Sequence, residues 1–420
     1  MNIHIEPRKL KGSVHVISSK SLSHRYVIAS GLAHGVSTIK NVLISDDLEY
    51  TKKALSSFGV QFQEDSIRGS MLNYDGTTLD CGESGSTLRF MIPIAMMQDK
   101  EVKFTGKGKL PERPLNVYQE LFKDRDVLFK HTSDQELPLI VKGPLLGGDY
   151  HLRGDVSSQF ITGLLFALPL AKKDSKIILT TPLTSKDYVE LTLDVLKEFG
   201  VDVKRDAHGF EIKGNQTYQP ATTEVEGDFS QAAFFLVAGL IGEEITLFGL
   251  NPSSKQGDKK IVDLLKKMGG NIIFDDKKKA YIASPSVTKG ITIDLTDIPD
   301  LGPILMVLAS LSEGITHFKG VSRLRIKESD RLAAMDQALS ILGVSMKIQD
   351  DEAWIEGVKN FKGNVNLNGA KDHRIVMALS IASLKANGAI TISTAESISK
   401  SYPTFFEIFN HLGGYARESE

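Results

Sequence analysis

The chain has 420 residues, 24% charged and 41% hydrophobic, with a formal net charge of −2. That length accommodates two or three domains with sizeable cores, and near-neutrality supplies no long-range field for nucleic acid or an anionic membrane. The single cysteine, Cys81, excludes an internal disulfide and a multi-cysteine metal site, and it fits a reducing compartment.

The first ten residues, MNIHIEPRKL, contain no apolar core of the kind a signal peptide needs. The longest apolar runs, such as Ile161 to Ala171, are too short or too interrupted to span a bilayer. A cytoplasmic protein without nucleic-acid or membrane partners is expected.

From residue 18 onward the chain repeats itself. Six segments open with small polar or charged residues and run into an apolar helix. They are Ser18-Ser19-Lys20-Ser21 into HRYVIASGLA, Glu83-Ser84-Gly85-Ser86 into TLRFMIPIAMM, and Ser157-Ser158-Gln159 into FITGLLFALPLA. The other three are Asp228-Phe229-Ser230-Gln231 into AAFFLVAGLIG, Asp297-Ile298-Pro299-Asp300 into LGPILMVLASL, and Lys371-Asp372-His373-Arg374 into IVMALSIASL. Helices apolar on every side, and rich in Ala and Gly, are predicted to be fully buried.

Between them lies a second series, in which a helix ends in glycine and an alternating strand follows. Gly59, Gly200, Gly269 and Gly343 mark four such ends, a weaker copy without the glycine starts at Leu121, and a last one ends at Gly413-Gly414. Glycine suits the left-handed position after a helix, and alternation suits a half-buried strand. Successive copies lie roughly 65–75 residues apart, room for a compact α/β unit. The class is therefore α/β, with six βαβαββ-type units.

The final copy stops soon after its glycines, and its strands are expected from Met1–Ile5 and the VHVI run near the N-terminus. With the domain change placed near Glu226, the expected layout is residues 16–226 as one domain and 1–15 plus 227–420 as the other. Each would hold three units, with a cleft between the domains.

The starts of buried helices offer free backbone N–H groups and the positive end of the helix dipole, which suit anions. Lys20-Ser21, Ser86, Ser157-Ser158 and Arg374 add cations and hydroxyls there. Nucleotide loops, HExxH and CxxC motifs are lacking. Lys327 and Arg331 are four apart with Glu328 between them, a grouping that suits gripping an anion while moving a proton. Taken singly, each feature also has a structural reading: Lys20-Ser21 as a cap, KESDR as a solvated ion-paired face, His373 as an orienting group, Cys81 as a small core residue.

The motifs SKS…R, GESGSTLR, LPERP, SSQ, IPD, KESDR, DHR and K-x-x-P follow one another along the whole chain. In this order they resemble the EPSP synthase family of enolpyruvyl transferases. The resemblance implies a two-domain inside-out α/β barrel and a reaction between phosphoenolpyruvate and shikimate 3-phosphate, without metal or organic cofactor. It assigns Ser21, Arg25, Ser157, Ser158, Ser185 and Tyr188 to the phosphoshikimate. Lys20, Gly85, Arg113, Gln159, Arg331, Arg374 and Lys400 line the phosphoenolpyruvate side, with Lys20 and Gln159 within reach of both ligands. Lys327 stands between the ligands, Asp300 handles the 5-hydroxyl proton, and Glu328 delivers a proton to carbon.

Three departures stand out: Ile17-Ser18 replaces Pro-Gly, Glu83 takes a place often held by Asn, and Arg323 another, adding a contact to the shikimate phosphate. The resemblance also implies glyphosate as inhibitor, since Gly85 leaves room for it, and a monomer. Two rivals are a transferase acting on UDP-N-acetylglucosamine, which carries a reactive loop cysteine absent from TGKGKLPERPLN, and a non-catalytic ring-forming clamp.

Overall fold

The computed structural model describes residues 1–70 and 72–419. The chain separates into two compact units, Ser19–Val225 and Met1–Ser18 with Glu226–Glu420. Each holds three copies of one motif: a leading strand, a buried helix, a parallel strand, an outer helix and an antiparallel pair.

The buried helices are α1 (Lys20–Leu32), α2 (Gly85–Ala95) and α3 (Ser158–Ala167) in the first unit. In the second they are α4 (Phe229–Ile241), α5 (Gly302–Ala309) and α6 (His373–Ala382). Every residue of α4, α5 and α6 is buried, as sequences without a polar stripe require. Removing each large aliphatic or aromatic side chain from water is worth about 1.5–3 kcal/mol, so these helices form the core of their units. The outer helices differ: Lys186–Glu198 buries only Val189, Leu191, Thr192, Val195 and Leu196, the one-sided stripe of a surface helix. It ends as expected, with Gly200 at φ +74° and the Val201 amide turned back to the Leu196 carbonyl at 2.9 Å.

Among the described residues, six four-stranded sheets carry one parallel and two antiparallel pairings each. In the third copy Gly148–Leu152 runs parallel to Ser175–Leu179, which pairs antiparallel with Gly209–Ile212, and Val203–Arg205 closes the edge. Register follows burial. In Asn2–Glu6 only Ile3 and Ile5 point inward, so a one-residue slip would expose both.

The ends of the repeat series differ from the sequence expectation. The last copy does keep a strand, Tyr415–Ser419, and lacks only its neighbour. Asn2–Glu6 fills that gap, pairing antiparallel with both Ile390–Ser393 and Tyr415–Ser419. Gly12–His15, from the VHVI region, leads the fourth copy instead, parallel to Ile245–Phe248. In the first unit Thr222–Glu224 leads the first copy in the same way, parallel to Val36–Lys40. A leading strand needs no sequence proximity to its partner, only a free parallel edge, and that is why periodicity did not reveal these exchanges.

The boundaries also move from 15/16 and 226/227 to 18/19 and 225/226. Val16 donates its amide to Phe248, Ile17 accepts from the Asp228 amide, and Ser18 bridges Gly227. The Glu226 carboxylate accepts from Gln256 Nε2 at 2.8 Å. Local hydrogen bonding therefore places Val16–Ser18 and Glu226 with the second unit.

Candidate active site

In the first unit three helix starts are tied together by side chains. Ser19, Ser84 and Ser157 cap α1, α2 and α3, each hydroxyl accepting from an amide of the first turn. Lys20 Nζ lies 3.0 Å from Asp47 Oδ2, and the Asp47 carbonyl accepts from Thr87 Oγ1 at 3.3 Å, linking the starts of α1 and α2. Gln159 joins α3 to α2: its Nε2 donates to Ser86 Oγ at 2.9 Å and its Oε1 accepts from Arg89 NH1 at 2.8 Å. Gly163 allows this approach, because a Cβ there would sit 2.4 Å from the Arg89 carbonyl.

Arg25 is buried and spans from α1 to the Lys186–Glu198 helix. It donates to Thr192 Oγ1 at 2.9 Å, to the Tyr188 carbonyl at 2.7 Å and to the Ser21 carbonyl at 2.8 Å. Burial pushes its guanidinium down to about 10, which leaves it charged near neutrality. These bonds gather Ser21, Arg25 and Tyr188, and the Tyr188 amide donates to the Ser185 carbonyl at 3.1 Å. Ser185 holds a left-handed backbone, φ +51°, at the start of that helix, a conformation that non-glycine residues adopt at a cost. Ser158 is buried at the start of α3.

Arg113 follows the one-turn helix Leu110–Glu112 and its guanidinium rests on Gly85, where a Cβ would approach within 2.7 Å of NH1. Glu83 turns toward the neighbouring loop, its carboxylate against Gly108.

The second unit concentrates charge of both signs. Arg331, 1% exposed, is bound on every edge of its guanidinium. Nε meets Asp372 Oδ2 at 2.8 Å, NH1 meets Asp300 Oδ1 at 2.8 Å, and NH2 meets Glu328 Oε2 at 2.7 Å. Asp300 also receives Lys327 Nζ at 3.3 Å and Arg374 NH2 at 3.2 Å. Burial pulls the Lys327 ammonium below the usual lysine value, with Asp300 opposing and Arg331 reinforcing the shift. One carboxylate thus faces three cations, while one guanidinium faces three carboxylates.

Backbone geometry near α6 is strained in support of this cluster. Ala370 and Lys371 are both left-handed, φ +55° and +53°, immediately before Asp372, which caps α6. The buried Lys400 donates to the Lys371 carbonyl at 2.9 Å. Arg323 reaches the Thr296 carbonyl with NH1 at 2.5 Å.

The expected residues therefore form two local groups: Lys20, Ser21, Arg25, Gly85, Arg113, Ser157, Ser158, Gln159, Ser185 and Tyr188 in one unit, and Asp300, Arg323, Lys327, Glu328, Arg331, Arg374 and Lys400 in the other. Sequence reasoning missed Asp47, Arg89 and Asp372. The last two stand inside motifs that had been singled out, GESGSTLR and DHR, whereas Asp47 lies in an ordinary acidic helix start and carries no signal.

Cys81 is fully buried, and burial raises its thiol above the ordinary range. Iodoacetamide should label it only after unfolding, as read by intact mass. Rapid labelling of the folded chain would contradict the structure.

The sequence profile of the EPSP synthase family, 3-phosphoshikimate 1-carboxyvinyltransferases, matches residues 5–409. A 3-phosphoshikimate 1-carboxyvinyltransferase of Clostridium kluyveri is 48% identical over 418 residues, 98% of this chain and 97% of the relative. One of Clostridium novyi is 45% identical, over 99% and 98%. Among solved structures, EPSP synthase from Acinetobacter baumannii superposes with a TM-score of 0.81 at 27% identity, over 99% of this chain and 100% of that one. The enolpyruvyl transferase NikO from Streptomyces tendae, at 15% identity and a TM-score of 0.78 over 100% and 98%, shares the fold.

Proposed function

Because the chain belongs to the EPSP synthase family, we propose that it transfers the enolpyruvyl group of phosphoenolpyruvate to the 5-hydroxyl of shikimate 3-phosphate. The oxygen adds to C2 while a proton goes to C3, giving a tetrahedral intermediate. Loss of phosphate, with return of a C3 proton, then yields 5-enolpyruvylshikimate 3-phosphate.

The observation that carries the assignment of roles is the group formed by Asp300, Lys327, Glu328, Arg331 and Arg374. Two carboxylates held beside three cations supply what addition–elimination needs, a pair of proton carriers within a field that stabilises added negative charge. Asp300 takes the proton of the 5-hydroxyl, Glu328 serves C3, and Lys327 and Lys20 neutralise charge developing on the oxygens. Ser21, Arg25, Ser157, Ser158, Ser185 and Tyr188 hold the phosphoshikimate, with Arg323 as an added cation for its phosphate. Gly85, Arg113, Gln159, Arg331, Arg374 and Lys400 receive phosphoenolpyruvate. Anchoring residues are already bonded to neighbours, so the ligands meet oriented groups.

The bare Gly85 beneath Arg113 supports glyphosate as a ligand of the phosphoenolpyruvate site. A cytoplasmic monomer completes the reading; among the described residues no helix is long and apolar enough to cross a membrane. The sugar-nucleotide alternative has less support, since Cys81 is buried and residues 105–116 hold no cysteine.

Phosphate release from phosphoenolpyruvate with shikimate 3-phosphate, run beside the same assay with UDP-N-acetylglucosamine, tests the proposal. Release is expected with shikimate 3-phosphate alone. Release only with the sugar nucleotide would replace the acceptor, and a folded protein releasing phosphate with neither would end the proposal.

A further inference from the structure

A glutamine amide carries an acceptor on one side and donors on the other, and its partners decide which way it faces. Gln159, assigned above to the phosphoenolpyruvate side, bridges two residues of α2 that stand three apart, Ser86 and Arg89. Ser86 cannot select an orientation, since a hydroxyl both donates and accepts. Arg89 can, because a guanidinium only donates. Its NH1 therefore meets Oε1, at 2.8 Å, and Nε2 donates to Ser86 Oγ at 2.9 Å. The hydrogen that remains on Nε2 is the donor an anion needs. Turned the other way, the amide would set N–H against N–H at Arg89, and an oxygen would replace that hydrogen.

Arg89 is itself held in place. It is 6% exposed, and its Cζ lies 4.8 Å from the ring centroid of Phe160, the residue after Gln159. The Tyr118 hydroxyl lies 2.8 Å from the Arg89 carbonyl and 3.0 Å from the Phe160 carbonyl, tying the backbones of α2 and α3 together. Gly163 makes room for this junction, since a Cβ there would come within 2.4 Å of both the Arg89 carbonyl and that hydroxyl. The second arm of the guanidinium, NH2, donates to the Pro114 carbonyl at 3.2 Å. Pro114 directly follows Arg113, so Gln159 and the Arg113 turn, from two separate segments, meet one guanidinium. All of these contacts lie within the first unit.

We propose that Arg89 is a positioning residue that fixes the Gln159 amide with an N–H for phosphoenolpyruvate and holds the Arg113 turn beside it. This rests on the assignment of Gln159 and Arg113 to phosphoenolpyruvate. In this role Arg89 acts through the two residues that receive the ligand, and its own chemistry matters in one respect: it donates and never accepts.

The experiment is steady-state kinetics on the full chain with three substitutions at this position. Arg89→Met removes the donors, and Arg89→Gln replaces them by an amide that accepts as readily as it donates. Both should raise the KM for phosphoenolpyruvate by about 10–100-fold, the effect of one lost hydrogen bond to a charged group, with a much smaller change in kcat. Arg89→Lys remains donor-only and should recover most of the loss. The route of the effect is tested by adding Arg89→Gln to Gln159→Leu. The combined rise in KM should fall well short of the product of the two single rises, because an absent amide has no orientation to lose.

A wild-type KM in Arg89→Met or Arg89→Gln would overturn the proposal, as would a lysine variant no better than the glutamine one, or effects that multiply in full with Gln159→Leu. If Arg89→Met does not fold, the glutamine and lysine variants, which keep hydrogen bonding at the position, still decide. Failure of the ligand assignment looks different: Gln159→Leu alone would then leave the KM for phosphoenolpyruvate unchanged.

Discussion

Replacing Arg331 by methionine should destabilise the second unit by about 3–5 kcal/mol, the range expected when one partner of a buried ion group is removed and its counter-charges stay behind, and should abolish turnover. The size of the effect follows from the count of stranded charges. Asp372 is 0% exposed and receives two guanidinium bonds from Arg331, while Asp300 and Glu328 each receive one. Methionine fills much of the volume, so the loss reports charge and hydrogen bonding more than a cavity. Chemical denaturation measures it, and a double-mutant cycle with Asp372→Asn isolates the pair. The second substitution removes one stranded carboxylate and should recover part of the loss. An Arg331→Met protein as stable as the wild type would mean that solvent, not Arg331, satisfies these carboxylates.

The Glu328→Gln variant is expected to bind both substrates with near wild-type affinity and to lose turnover by about 10²–10⁴-fold, the range that a positioned proton carrier supplies. The amide keeps the shape and still offers Arg331 an oxygen acceptor at the 2.7 Å contact, but it passes no proton to C3. Exchange of solvent deuterium into the methylene of phosphoenolpyruvate separates this role from a binding role, and it should fall in step with turnover. Unimpaired turnover would sink the assignment. Parallel loss of affinity and turnover would recast Glu328 as an orienting partner of Arg331.

These two residues show what kind of information each level carries. Glu328 and Arg331 stand three apart in one motif, so their proximity was legible. The helix begins only at Arg331, however, and the non-helical segment before it, not a shared helical turn, brings Glu328 to the guanidinium. Asp372 lies 41 residues from Arg331 in a separate motif, DHR, and no local pattern pairs the two, although it is the most deeply buried partner of the guanidinium.

By itself the sequence determined the six-fold repeat, the buried helices and the residues at their starts. Each of these follows from periodicity, glycine placement and the absence of polar stripes, which act over a few turns of chain. Tertiary structure alone decided which strand closes which sheet, so that Asn2–Glu6 completes the last copy and Gly12–His15 leads the fourth. It also decided which carboxylates surround Arg331. Those pairings depend on where distant segments are brought together, because buried charges and unpaired strand edges are satisfied by whatever partner lies nearest in space, whatever its distance along the chain.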